Sequence, residues 1–136
     1  MREIKFRVWS EDQKTYDYKF PYNSIGDFYV NTRGKVFSDF GNSVAPEVRQ
    51  EAFVVEQYTG LEDKNGIEIY EGDIVRIMGY GTYEVFWRSW DTSFSLKAID
   101  TDIEEHKVLM LCEDWESDYT IIGNIHENTE LLGGEE

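Results

Sequence analysis

Cysteine is almost missing from this chain. Cys112 is the single thiol in 136 residues, so no internal disulfide forms, and the chain is either intracellular or indifferent to oxidation. Cys112 closes the apolar run Val108-Leu109-Met110-Leu111-Cys112 and is followed by Glu113 and Asp114. A reactive thiol needs a base or a cation beside it, and these neighbours carry the wrong sign, so a small packed residue is expected. Long apolar runs are missing too: none approaches the roughly 20 residues of a membrane span. The opening Met1-Arg2-Glu3-Ile4-Lys5-Phe6-Arg7 interleaves charges and leads into no apolar stretch of the kind a secretory leader carries. The expectation is a soluble, cytoplasmic protein that does not engage a membrane.

Catalytic and cofactor signals are equally sparse. His106 and His126 are the only histidines, and neither has a Cys or second His at ligand spacing, which argues against zinc. Gly79-Tyr80-Gly81 lacks the Gly and Lys that a phosphate-cradling loop requires. No G-x-S-x-G nucleophile pattern accompanies His126. The acids Glu62, Asp63, Glu68, Glu71 and Asp73 surround Gly66 and Gly72. Aligning Gly66 with the invariant Gly of an EF-hand loop places Leu61 at the first ligand position and Gly72 at the terminal Glu position, so the calcium pattern fails. Turn chemistry explains these residues better: Asp63 and Asn65 stabilise a hairpin, and Gly72 adopts a φ other residues avoid. No catalytic residue, cofactor or metal ligand is assigned.

Basic residues are outnumbered. Thirteen Lys and Arg face 28 Asp and Glu, a net charge of −15. Residues 101–136 hold eleven acids against Lys107 alone, a net −10. Such a surface repels phosphate backbones and argues against nucleic acid as a direct partner. Basic proteins, divalent cations or protein sites that normally bind DNA fit better.

What the chain does have is aromatic and β-branched residues in short alternating runs. Aromatics make up 15% of it, outside the range of disordered segments, and one domain suits this length. Ile4–Trp9 alternates apolar and basic residues, with Ile4, Phe6 and Val8 on one face. Thr15–Phe20 alternates likewise, so an N-terminal hairpin is expected across Ser10–Lys14. Phe28-Tyr29-Val30 and Lys35-Val36-Phe37 flank the turn tetrad Asn31–Gly34. Residues 38–52 read as a short helix from Pro46 or a joining loop, a soft boundary between an N-terminal β region (1–45) and a later one (53–132). In that later part, strands are expected over Phe53–Tyr58, Asp73–Met78, Thr82–Trp87, Ser93–Ile99 and Asp118–Ile125. Asn65-Gly66 is the strongest tight-turn signal. Val75 with Ile77, and Phe94 with Leu96 and Ala98, are expected core faces. Residues 100–118 fit neither period, leaving a short helix or a loop with one strand open. Asn128 caps a final helical turn ended by Gly133-Gly134. The fold class is mainly β: a small SH3-like barrel over about 53–126, with additional N-terminal strands.

Three stretches carry a family resemblance. Gln57-Tyr58-Thr59-Gly60-Leu61-Glu62-Asp63-Lys64-Asn65-Gly66-Ile67-Glu68-Ile69-Tyr70-Glu71-Gly72-Asp73-Ile74-Val75 resembles the central signature of the YopX family. Met1–Trp9 is similar to that family's start, and Ile122–Leu132 to its closing motif. The three occur in the family's order and span nearly the whole chain. The chain departs from the pattern at His126, where an aromatic is usual, and at Thr129, where Pro is usual. The resemblance implies a phage or prophage protein of a Gram-positive bacterial host, mainly β with an SH3-like barrel component. It transfers no activity, cofactor or catalytic residue.

The expected function is therefore non-enzymatic: an accessory module whose acidic surface engages a host or phage protein. Exposed rings on a barrel can bind proline-rich peptides or stack bases. The candidate interaction surface is Tyr58, Tyr70, Glu71, Asp73, Tyr80, Trp87, Trp90 and Glu127. Alternatives are a metal-dependent hydrolase built on the carboxylates, or a nucleic-acid-binding barrel using Arg2, Lys5, Arg7 and Lys14.

Overall fold

Runs of β-branched and aromatic residues bounded by Gly, Asn and Asp become short strands in the computed structural model, which describes residues 3–16, 28–30, 32–33, 35–38, 52–89, 92–100 and 107–132. The strands are β1 (Phe6–Ser10), β2 (Phe28–Val30), β3 (Val36–Ser38), β4 (Phe53–Glu62), β5 (Glu68–Tyr70), β6 (Asp73–Ile77), β7 (Gly81–Arg88), β8 (Ser93–Ala98), β9 (Val108–Met110) and β10 (Tyr119–Asn124). The helices described are two 3-10 segments, Glu113–Asp118 and Thr129–Leu132. The strands form sheets of order β10-β6-β7-β8-β9, β1-β4-β5 and β2-β3. The chain divides into two compact units, Phe6–Glu56 and Met1–Lys5 with Gln57–Glu136.

Within Phe6–Glu56, burial in β1 does not follow the alternation: Val8, Trp9 and Ser10 are all buried. Phe6 is 43% exposed, and Ile4 just before it is 63% exposed, whereas Trp9 is buried. Arg7 and Trp9 share one side of the strand, and Tyr16 packs on both, 5.0 Å from the Trp9 ring and 4.5 Å from the Arg7 guanidinium. Arg7 Nε also reaches Glu56 Oε1 at 2.7 Å, and Tyr16 Oη donates to the same oxygen at 2.8 Å. A buried carboxylate demands donors, and the basic face supplies them. The turn after β1 is as expected: Ser10 N donates to Thr15 O, and Lys14, at φ 56°, donates from its N–H to Ser10 O. The return strand to Phe20 and the Pro46 helix lie outside the described residues. β2 and β3 pair antiparallel across residues 31–35.

In the larger unit the core gathers Ile69, Val75, Ile77, Tyr83, Val85, Leu96 and Tyr119. Val75 and Ile77 are the expected inward pair. Ile74, on the opposite side of β6, is fully buried as well. The five-stranded sheet is antiparallel and open: no pairing joins β9 to β10 among the described residues. Among the described residues the strands form mainly antiparallel sheets that do not close into a barrel, and the β10 edge is covered locally. Lys64 N donates to Tyr119 O at 3.0 Å, and Ile121 N donates to Asp63 Oδ2 at 3.0 Å. These contacts come from the loop between β4 and β5, so the exposed-edge hazard is removed by a loop rather than by a further strand.

Candidate interaction surface

The β4–β5 hairpin organises the first group of candidate residues. Tyr58 stands opposite Tyr70 and Glu62 opposite Glu68, with the register broken around Gly60, whose φ is 94°. Thr59 Oγ1 fills part of that irregularity by donating to Ile69 O at 2.7 Å. The two tyrosine rings lie 5.5 Å apart. Lys5 Nζ sits 5.5 Å from the Tyr58 ring and forms an ion pair with Glu68. That hydrogen bond to Glu68 raises the Lys5 pKa, burial opposes it, and Glu3 adds to it. Burial pushes the Tyr58 phenol up, Glu68, Glu62 and Glu3 push the same way, and Lys5 pulls back. Glu62 and Glu68 are like charges directly across the ladder, an unfavourable pairing that Lys5 relieves.

Tyr58 is only 6% exposed and Asp73 only 3%. Tyr70 and Glu71 are half-buried. Their polar atoms are engaged in the turn between β5 and β6. Asp73 Oδ2 accepts from Tyr70 N at 2.8 Å, and Glu71 Oε1 accepts from Gln57 N at 2.8 Å. Gly72, at φ 88°, lets the chain pass between Val85 O and Ile125 N, bonding both. Glu127 is exposed, and its Oε1 accepts from Asn124 Nδ2 at 2.9 Å. Asn124 Oδ1 in turn accepts from the N–H groups of His126 and Glu127. Asn128 does not cap forward as expected: its Oδ1 reaches back to Asn124 N at 3.1 Å.

The large rings divide between core and rim. Tyr80 is half-buried, packs against the core and stacks on Trp115 at 5.3 Å. Trp87 continues the inward face of Tyr83 and Val85 but overshoots the core's end. It is 45% exposed, with its ring edge-on to Phe94 at 5.0 Å. Trp90 lies outside the described residues. The structure therefore gathers Tyr58, Tyr70, Glu71 and Asp73 around one hairpin and turn, while Tyr80 and Trp87 lie at the two ends of β7.

Two exposed residues on the last strand of the sheet escaped sequence reasoning. On β9, Leu109 packs against the core, while Val108 and Met110 point the other way and are 43% and 62% exposed. They stand opposite Lys97 and Ser95 on β8. β9 is the terminal strand among the described residues. A three-residue strand is too short for period-two alternation to announce itself. Cys112, just beyond, is half-buried, and its backbone N–H and C=O both bond the Tyr119 hydroxyl.

No three His, Cys, Asp or Glu side chains converge in a way that holds a metal ion among the described residues. The cations of the nucleic-acid reading are committed to carboxylates: Arg7 to Glu56, Lys5 to Glu68 and Glu3, and Lys14 to Glu11 at 3.5 Å. Arg2 lies outside the described residues. Among those described, no helix is long and apolar enough to cross a membrane.

Comparison with known proteins gives a family and a fold. The family model described as YopX protein matches residues 5–133. The crystal structure of protein EF1440 from Enterococcus faecalis is similar, with 26% identity, TM-score 0.59, and coverage of 97% of this chain and 99% of that one. The crystal structure of yopX from Bacillus subtilis is similar in fold, with 15% identity, TM-score 0.55 and full coverage of both chains. No curated protein matches.

Proposed function

The chain belongs to the YopX family, and from that premise we propose that it is a non-enzymatic phage or prophage accessory protein that binds a host or phage protein. The observation that carries this reading is β9: the terminal strand among the described residues, with Val108 and Met110 exposed, set within residues 101–136, whose net charge is −10. Asp102, Glu104 and Glu105 precede the strand in sequence, and Glu113, Asp114 and Glu116 follow it. A strand edge offers backbone hydrogen bonds to an extended segment, its exposed side chains offer apolar contact, and the acids before and after it in sequence favour a basic partner. The occupant is an extended, basic segment of a protein, of the kind that otherwise contacts nucleic acid. The open sheet, with its β10 edge covered by residues 63–64, supports reading this region as an opened-out relative of an SH3-like barrel. Its setting is the cytoplasm of the bacterial host.

The test begins with capture of the tagged chain's partner from a Gram-positive host lysate treated with nuclease. The purified pair is then titrated with salt and with the V108K/M110K double variant. Affinity should fall with salt, since screening reaches about 4 Å at half-molar ionic strength, and it should fall with the variant. Affinity insensitive to both, or recovery of the chain alone, would refute the reading.

A further inference from the structure

Asn65 and Gly66 form the exposed tip of the loop between β4 and β5. Gly66 has φ 80°, and no atom lies within 4 Å of the place a side chain would take. The Asn65 backbone N–H donates to Asp63 Oδ1 at 2.8 Å, but its carboxamide makes no hydrogen bond among the described residues. It is free to turn toward the next peptide. The Gly66 N–H makes one bond, to Asp63 O at 3.0 Å.

We propose that Asn65-Gly66 is a self-modification site of the folded protein. The Gly66 nitrogen attacks Asn65 Cγ. The new N–Cγ bond closes a succinimide, the Cγ–Nδ2 bond breaks, and Nδ2 leaves as ammonia with the proton from the Gly66 amide. Water then opens the ring. Opening at Cγ gives Asp, and opening at the backbone carbonyl gives isoaspartate, in which the chain runs through Cβ and Cγ. Glycine suits this step because it puts no Cβ in the path of attack.

The same loop supplies the reason the product matters. Asp63 Oδ1 holds the N–H groups of Asn65 and Ile67, while Oδ2 holds Ile121 N on β10. Either product adds a carboxylate beside Asp63, where Glu62 and Glu68 already face each other. Isoaspartate also lengthens the backbone between the two donors that Oδ1 spans. Both changes loosen the clamp on β10. The chain carries its own controls. Asn124 and Asn128 precede the β-branched Ile125 and Thr129, and their side-chain amides are held by Glu127 and by the N–H groups of Asn124, His126 and Glu127.

Full-length protein is aged at mildly alkaline pH without denaturant, cleaved after Lys64, and the peptide beginning at Asn65 is weighed. A parallel sample is aged in urea. The Asn65 peptide of the native sample should gain the mass of an NH2-to-OH exchange before Asn124 or Asn128 does, and isoaspartate should appear in it. Aged protein should unfold at lower urea than fresh protein. If the urea sample converts and the native one does not, the folded loop forbids the attack and the proposal fails. If conversion proceeds with an unchanged midpoint, the link to the Asp63 clamp fails.

Discussion

Replacing Asp63 by Asn removes a charge while keeping size and one carbonyl oxygen. In the native chain the carboxylate accepts three backbone N–H groups, from Asn65 at 2.8 Å and from Ile67 and Ile121 at 3.0 Å each. Burial opposes its ionisation, but these donors and Lys64 outweigh burial and hold its pKa below the usual 3.8. In the variant, the amide oxygen retains the Asn65 and Ile67 donors. The NH2 group then faces Ile121 N–H, donor against donor. Charge-assisted bonds are worth roughly 1.5–3 kcal/mol and neutral ones roughly 0.5–1.5. Losing one bond and weakening two costs about 3 kcal/mol, equivalent to roughly 10 °C in Tm for a chain of this size. The pH dependence gives a sharper check. The folded-state pKa is depressed, so the stabilisation is present above the unfolded value of about 3.9 and is lost as pH falls through the folded value. Urea unfolding of both proteins, followed by tryptophan fluorescence at steps from pH 7 to pH 3, should show a gap of about 3 kcal/mol that is constant to about pH 5 and then narrows. Taking the difference cancels the titration of the other carboxylates. A gap that stays flat to pH 3, or a variant as stable as the parent at pH 7, would refute the reasoning.

Three further outcomes follow from named contacts. Gly123→Ala would place a Cβ 2.6 Å from Asn128 Oδ1, breaking the bond to Asn124 N, and should cost about 1–3 kcal/mol by thermal unfolding. Gly81→Ala meets both a φ of 125° and Asp100 Oδ1 at 2.8 Å, the same oxygen that accepts Thr82 N; a loss of about 1–3 kcal/mol is expected, relieved in part when combined with Asp100→Gly. Arg7→Ala removes the guanidinium that bonds Glu56, whose side chain is 5% exposed; a loss of about 2–4 kcal/mol is expected, and Arg7→Ala with Glu56→Gln together should recover part of it in a double-mutant cycle.

Period-two alternation and turn residues were enough to locate most strands of the larger unit, because local sterics decide them. Val75 with Ile77 reads as an inward face and is one; of Phe94, Leu96 and Ala98, the last two join the core and Phe94 is half-buried. Gly72 reads as a φ-positive turn and is one at 88°. At Asn65-Gly66 only Gly66 takes positive φ, and the loop closes wider than a two-residue turn, because Asp63 N bonds Ile67 O. The YopX match over residues 5–133 was likewise legible, since the central motif is long and linear. What the sequence could not decide involves partners distant along the chain. Alternation in Ile4–Trp9 defines two faces without saying which is covered; Glu56 and Tyr16, brought alongside, pack the Arg7 and Trp9 face, while Val8 on the other face is buried as well. The roles of Glu71 and Asp73 as acceptors for backbone N–H groups, and the burial of Tyr58, likewise depend on tertiary neighbours. Only the tertiary structure decided that the sheet is covered at β10, because one carboxylate, Asp63, spans 58 residues of sequence to satisfy Ile121 N. Local patterns report what each residue prefers; edges and clamps depend on which segments the core brings together.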